Sequence, residues 1–152
     1  MPKELIEISK EMTFEAAHYL HNTAWDRAKN LKAFGKCAGF RADDPKAEGY
    51  PHGHSYRLRV TAKGPVDPKT GFVIDFHRFK DILDEAVCRR YDHRFLNKEV
   101  EPFKSDPRIQ PTAENIVKDI WKMMVPLLRK EGVAPVEMTL WESDSSFVTY
   151  RG

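Results

Sequence analysis

Only two cysteines, Cys37 and Cys88, occur in the 152 residues. That is too few for a disulfide scaffold and fits a reducing compartment. No apolar run is longer than residues 123–128, against the roughly 20 residues a membrane-crossing helix needs. No membrane partner is expected. The first residues mix both charge signs and lack an apolar stretch, so they do not read as a secretory signal, and the expected location is cytoplasmic. A dominant charge is missing as well. The 25 Lys+Arg against 23 Asp+Glu leave a formal net charge of +2, which argues against a general nucleic-acid binder. Internal repeats, low-complexity tracts and long linkers are absent, so residues 1–152 are expected to form one domain. Aromatics, by contrast, are plentiful, with nine Phe, five Tyr and three Trp. A chain of this length and composition buries a hydrophobic core without staples.

Periodicity supplies the elements. Ile6, Ile8, Met12, Phe14 and Ala16 share one parity, broken by Lys10, which predicts a strand over 4–18 with a bulge near Lys10. Over 54–61, Tyr56, Leu58 and Val60 face one way while Ser55, Arg57, Arg59 and Thr61 face the other. Residues 67–71 read as a turn and 72–75 as a short strand. Phe79, Ile82, Leu83, Ala86 and Val87 mark an amphipathic helix over 77–91. A second helix begins after Thr112, a good N-cap, with Glu114 at its positive end and Gly132 beyond its last turn. Pro126 is expected to kink or break it. Val136, Met138, Leu140 and Glu142 share a strand face, and 146–151 close the sheet. This order predicts an α+β fold, an antiparallel sheet with its helices in one layer. Residues 22–50 are long for a connection, with Thr23 and Gly35 bounding a short helix.

His52-Gly53-His54 is the strongest chemical signal. On a strand, residues i and i+2 share a face about 6.5–7 Å apart. Parity with Tyr56 points both imidazoles to the apolar side, where an unpartnered ring is costly. His18 lies on the apolar parity of the first strand. Pairing of the two strands would join three imidazoles and leave a fourth position open, the pattern of catalytic zinc. A surface His-Gly-His turn and a half-buried His18 are the other reading. Asp92-His93 is either a proton relay or a polar helix terminus. Glu142 is either partly buried and paired or the start of the Ser143-Asp144-Ser145-Ser146 turn. Cys37 stands beside Lys36 and near Arg41, cations that lower a thiol pKa, although a small loop hydrophobe fits too. Cys88 is explained by its helix. Arg27, Lys29, Lys32, Lys36 and Arg41 form an acid-free run, either a solvated face or an attractor for polyphosphate near Cys37.

Several blocks carry a resemblance that spans nearly the whole chain. They are Phe14-Glu-Ala-Ala-His18, Phe34-Gly-Lys-Cys37, His52-Gly-His-Ser-Tyr56, Gly71-Phe-Val-Ile-Asp-Phe76, Tyr91-Asp-His93 with Leu96-Asn97, Pro111-Thr-Ala-Glu-Asn115, and Glu142 with the terminal Tyr-Arg-Gly. In this order they resemble the 6-pyruvoyltetrahydropterin synthase / 6-carboxytetrahydropterin synthase family. The resemblance implies a T-fold, with a four-stranded antiparallel sheet, two helices on one face, and a homohexamer of two stacked trimers with sites between subunits. It implies zinc (Zn2+) on His18, His52 and His54, Cys37 as base, and Asp92-His93 as relay. Glu142 would anchor a pterin ring, with Thr112 and Glu114 adding contacts. The implied substrate is 7,8-dihydroneopterin triphosphate. The expected product is 6-carboxy-5,6,7,8-tetrahydropterin, on a route to queuosine-type deazapurines. The alternatives are 6-pyruvoyltetrahydropterin, formed by eliminating triphosphate, and a non-catalytic pterin-binding paralogue. The chain departs from the family where residues 38–51 separate Cys37 from His52, so 22–51 read as an inserted active-site loop. Glu48 falls where some relatives place their base, but the Phe-Gly-Lys-Cys block favours Cys37.

Overall fold

Even-numbered residues carry the apolar side chains of both long N-terminal strands, and this parity decides how the sheet packs. The computed structural model describes residues 3–44 and 49–152; Glu48 lies outside the described residues. Strand β1 (Leu5–His18) pairs antiparallel with β2 (His52–Pro65) from Leu5↔Pro65 to His18↔His52 without a shift. The bulge expected at Lys10 is therefore absent. Lys10 sits opposite Val60 and sends its amine over the Phe76 ring, 5.9 Å from the centroid. Its aliphatic stem covers the sheet while the charge reaches outward, so the parity needs no interruption. The irregularity falls instead between Thr61 and Ala62, where β2 meets the fourth strand.

The sheet has five strands, in the order β3-β1-β2-β4-β5. β4 (Ala134–Ser143) and β5 (Ser146–Tyr150) complete the four antiparallel strands that were expected. The additional strand, β3 (Arg94–Phe95), runs parallel to β1 at Ala16 and Ala17. It forms because the His93 amide donates to the Glu15 carbonyl at 2.6 Å and the Glu15 amide donates to the Asp92 carboxylate at 2.8 Å. Two residues are too short to show a period. The strand expected over 72–75 is a loop, because the Asp75 carboxylate is taken up in capping the amides of His77 and Arg78.

The helices lie on one face. A short α1 (Arg27–Phe34) follows β1. Next, α2 (Phe76–Leu83) runs through a π turn, Asp84–Cys88, into α3 (Arg89–Tyr91). Within the turn the Arg89 amide reaches the Asp84 carbonyl, five residues back. A single turn, α4 (Leu96–Glu99), and the long α5 (Ala113–Lys130) complete the layer. Phe14, Tyr56, Leu58 and Leu140 of the sheet pack with Phe79 and Ile120 of the helices, all buried. Thr112 caps α5 as expected. At the other end Gly132, at φ 77°, donates to Arg129 while Val133 donates to Leu128. These two bonds form a Schellman motif. Pro126 neither ends nor breaks α5. It and Lys122, whose carbonyl loses a donor, are both exposed, so the missing bond falls on the solvent side of the helix.

The segment after β1 is held by one side chain that its sequence did not advertise. α1 starts after Asp26, which caps the Lys29 amide, rather than at Thr23. Asn30, 0% exposed, accepts from the Asn22 amide at 2.7 Å and donates to the carbonyls of Asn22 and Trp25. The Leu20 amide then donates to the Cys37 carbonyl at 2.7 Å, drawing Cys37 back to the end of β1. At Gly39, φ 74°, a Cβ would stand 2.5 Å from the Tyr50 nitrogen, so the two arms of the loop touch there.

Asn30→Ala strips several buried groups of their partners at once and is expected to cost about 1–3 kcal/mol. Hydrogen exchange should show lost protection at the Asn22 amide and through α1, with β1 and β2 amides unchanged. Uniform loss across the sheet would mean that Asn30 does not act locally.

Candidate active site

Register brings the three histidines together. His18 stands opposite His52, and Ala16 opposite His54, so two adjacent strands aim three rings at one point. Ring centroids lie 4.6 Å apart for His18–His52, 5.1 Å for His18–His54 and 5.0 Å for His52–His54. The Tyr56 ring packs below them, 5.5 Å from His54. His18 is 1% exposed, and its Nδ1 lies 2.7 Å from the Pro111 carbonyl. A carbonyl only accepts, so Nδ1 carries the proton and Nε2 presents its lone pair to the cluster.

These three imidazoles fit a metal ion. The Nε2 atoms of His18, His52 and His54 are all buried without a hydrogen-bond partner among the described residues. Each such atom costs about 1–3 kcal/mol. One potential ligand atom from each ring lies within 4.8 Å of the others. Burial, reinforced by His52 and His54 and opposed by the Pro111 bond, lowers the His18 pKa to about 4. Burial and then His54 lower that of His52. Neutral rings are the form that ligates metals.

Two cavities flank this cluster. One, of about 470 Å³, is lined by Leu20, Thr112, Glu114, Glu142 and Phe147 among others. It unites the three residues expected to hold a pterin ring. Glu142 belongs to the cluster as well, since its Oε1 lies 3.6 Å from His54 Nε2. That separation is too long for a hydrogen bond. Glu142 is thus partly buried beside His54, and does not merely open the turn. The second cavity, of about 440 Å³, is lined by Lys36, Cys37, Phe40, Arg41, Tyr50, His52 and His54 among others. Despite the long separation in sequence, Cys37 stands beside the histidines.

The expected lowering of the Cys37 pKa is corrected by its surroundings. Burial pushes the thiol up, and the Glu142 carboxylate adds to the effect. Arg41 brings little help, because Asp43 takes its guanidinium in two bonds of 2.9 and 2.7 Å.

Asp92 and His93 do meet, although neighbours on a regular element would not. His93 adopts φ 57°, which turns its ring back so that Nδ1 sits 2.9 Å from the Asp92 carboxylate. The Glu15 amide, and then His93, hold the Asp92 carboxyl below the usual carboxylate range. His93, however, lines a third cavity with Glu15, Gly53, Ser55 and Glu99, and its side chain is 78% exposed. Cys37 does not line that cavity; His54 is the residue it shares with the one beside Cys37. Within one chain the dyad and Cys37 are not brought to one cavity. The Pro111 carbonyl is the contributor the sequence concealed, since a backbone acceptor has no side-chain signature.

Comparison with known proteins places the chain among named relatives. The family model described as 6-pyruvoyl tetrahydropterin synthase matches residues 7–152. A Drosophila melanogaster protein named 6-pyruvoyl tetrahydrobiopterin synthase is 32% identical over 145 residues, covering 95% of this chain and 79% of the relative. Its Homo sapiens namesake is 32% identical over 146 residues, covering 96% and 91%. The solved 6-pyruvoyl tetrahydropterin synthase of Caenorhabditis elegans superposes with a TM-score of 0.81 at 28% identity, covering 100% of this chain and 99% of that one. Among the described residues no helix is long and apolar enough to cross a membrane.

Protein purified without added metal is expected to carry about one divalent transition-metal ion per chain on these three rings. Elemental analysis of His52→Ala and His54→Ala should show the content falling toward zero. Full metal retention in both variants would mean that the ion sits elsewhere.

Proposed function

The chain belongs to the 6-pyruvoyl tetrahydropterin synthase family, and from that premise we propose that it is a zinc-dependent lyase converting 7,8-dihydroneopterin triphosphate to 6-pyruvoyltetrahydropterin. What carries this reading is three imidazoles with unpartnered Nε2 atoms, two of which line one cavity with Cys37, while Glu142, 3.6 Å from His54, lines a neighbouring one. Neutral nitrogen donors suit zinc. Bound there, zinc would polarise side-chain oxygens of the substrate and acidify the adjacent C–H. Glu142 accepts hydrogen bonds from the guanidine-like edge of the pterin, with Thr112 and Glu114 beside it. Cys37 faces the substrate side chain and removes its proton. Its raised pKa makes the thiolate a strong base once formed.

Between the two products, the names of the relatives favour 6-pyruvoyltetrahydropterin over 6-carboxytetrahydropterin. The route to queuosine-type deazapurines draws no support from them. A purely pterin-binding role leaves the Asp92–His93 dyad without a task, because ring recognition needs only Glu142 and its neighbours.

The dyad works in trans. Asp92 fixes the proton on His93 Nδ1 and leaves Nε2 to exchange a proton with substrate. Its separate cavity is the face a neighbouring subunit's Cys37 cavity would meet. β3 and β5 leave the sheet with two open edges, which cyclic assembly closes. The assembly proposed is a homohexamer of two trimers.

Incubating the protein with 7,8-dihydroneopterin triphosphate should release triphosphate and yield 6-pyruvoyltetrahydropterin. Release of acetaldehyde would identify the 6-carboxy product instead, and absence of any pterin product would reject the lyase reading. Cys37→Ala should slow turnover by about 10²–10⁴-fold with metal content intact, while Glu48→Gln stays active. The reverse pattern would assign the base to Glu48.

Mixing inactive Cys37→Ala and His93→Ala chains, unfolded and refolded together, should restore part of the activity, because some mixed sites receive both wild-type residues. Neither variant refolded alone should recover. A mixture as inactive as its components, in hybrid oligomers confirmed by native mass spectrometry, would place the dyad and Cys37 in separate functions.

A further inference from the structure

The pairing of β1 with β2 stops at His18, yet the next three residues keep the habits of a strand. The Tyr19 amide donates to the side-chain oxygen of Asn97 at 3.0 Å, and the Tyr19 carbonyl accepts from the side-chain nitrogen at 2.9 Å. Two residues on, the exchange recurs with Gln110. Its Oε1 accepts from the His21 amide at 2.8 Å, and its Nε2 donates to the His21 carbonyl at 3.0 Å. Leu20, between them, gives its amide to the Cys37 carbonyl at 2.7 Å. Side chains alternate in step. Leu20 lines the Glu142 cavity, whereas Tyr19 and His21 line a separate one of about 500 Å³ with Asn97. In an antiparallel sheet every second residue exchanges both its N–H and its C=O with one partner. A primary amide offers the same acceptor and donor. Asn97, in α4, lies two residues beyond β3, and Gln110 immediately precedes the Pro111 carbonyl that orients His18. Two side chains thus take the place of a neighbouring strand.

We infer that Asn97 and Gln110 are positioning residues for Cys37: by clasping Tyr19 and His21 they fix the Leu20 amide, which holds the Cys37 backbone beside the histidines. That Cys37 serves as base rests on the lyase reading above, whereas its placement does not. Cys37 belongs to one tight turn, Gly35–Ala38, whose closing bond, from the Gly39 amide to the Lys36 carbonyl at 3.2 Å, is local. The Leu20 bond ties this turn to the end of β1. Asn30 secures the next residue of the strip through the Asn22 amide. The Gln110 carbonyl in turn accepts from Asn115 Nδ2 at 2.9 Å, so the clasp on His21 is anchored to the first turn of α5. Thiol and metal-facing ring therefore share one frame. Gln110 sets the strip that carries Cys37, and the next residue sets His18. Without the clasps, residues 19–21 become a connection open to water, and the Leu20 amide loses its fixed place.

Alkylation of the protein as purified by iodoacetamide, with each cysteine followed by peptide mass spectrometry, reads the placement of Cys37 without reference to turnover. Gln110→Met and Asn97→Leu keep side-chain bulk and delete both bonds of one clasp. Each is expected to speed alkylation of Cys37 by about 5–30-fold, the range opened by losing one or two net hydrogen bonds. Cys88 and the metal content should stay at wild-type values. Ser9→Ala, which deletes a 2.8 Å bond to Thr61 elsewhere on β1, should leave Cys37 at the wild-type rate. Asn97→Asp and Gln110→Glu keep the acceptor for the backbone amide and lose the donor. They should give a smaller rise, and they carry the test if the apolar variants do not fold. In turnover of 7,8-dihydroneopterin triphosphate, the clasp variants should lower kcat by about 10–100-fold with a smaller change in KM. In a Cys37→Ala background they should cost nothing further, since the residue they place is gone. Wild-type alkylation of Cys37 in a folded variant would overturn the role of that residue. An equal rise in Ser9→Ala, or an equal kcat loss with and without Cys37, would overturn both. Should the pterin triphosphate fail to react while alkylation follows the expected pattern, the lyase reading falls and the positioning of Cys37 stands.

Discussion

His18 meets His52 because β1 and β2 pair without a slip over their whole length, and most of the site follows from that register. A shift of one residue would set His18 opposite Gly53 and send every side chain of the strand to the other face. The same parity that collects the imidazoles also buries Phe14, Tyr56 and Leu58. Each large apolar side chain contributes roughly 1.5–3 kcal/mol when buried. An unpartnered imidazole nitrogen costs about 1–3 kcal/mol. With more core residues than histidines on the shared face, burial outweighs the penalty, and the imidazoles are held in place by packing that has nothing to do with metal.

A second constraint joins the sheet to the helical layer. The Pro111 carbonyl orients His18, and the very next residue caps α5. Glu114, in the first turn of that helix, lines the cavity that Glu142 reaches from β4. One short stretch of backbone therefore fixes the His18 ring, starts a helix and forms a wall of the pocket. Proline suits the junction, since its missing N–H is not needed before a helix begins and its ring restrains the carbonyl.

Where side chains repeat with a period, the sequence was readable. The strand parities exposed the histidine cluster, the amphipathic stripe located α2 and α5, and Gly132 marked the helix end. What stayed hidden depends on backbone groups or on contacts distant in sequence. β3 exists because Asp92 and His93 exchange hydrogen bonds with Glu15. The bulge lies at Thr61/Ala62 rather than near Lys10, because a long lysine can keep an apolar parity while its charge leaves the surface. The pKa of the Cys37 thiol is raised rather than lowered because the fold buries it and, after that, sets Glu142, more than a hundred positions later, as its electrostatic neighbour. Nearby cations were visible in the sequence, but the Asp43 bond that occupies Arg41 required the fold. Thr112, Glu114 and Glu142 came from family resemblance, and a shared cavity is what the structure adds.

The π turn at Asp84–Cys88 carries a consequence for the dyad. A π turn accommodates one residue more than an α turn, and each residue of an α-helix advances the chain by about 100°. The bond between the Arg89 amide and the Asp84 carbonyl therefore sets the rotational phase of everything after it. Tyr91 enters the core, and Asp92 arrives at the Glu15 amide, in the phase the wider turn imposes. Deleting one residue from this turn would give a more regular helix, yet it would swing the carboxylate about a quarter of a circle from its partners. Here the less regular helix is the one in tune with the chemistry, and a relative with a gap at this point would have to aim its acid by some other means.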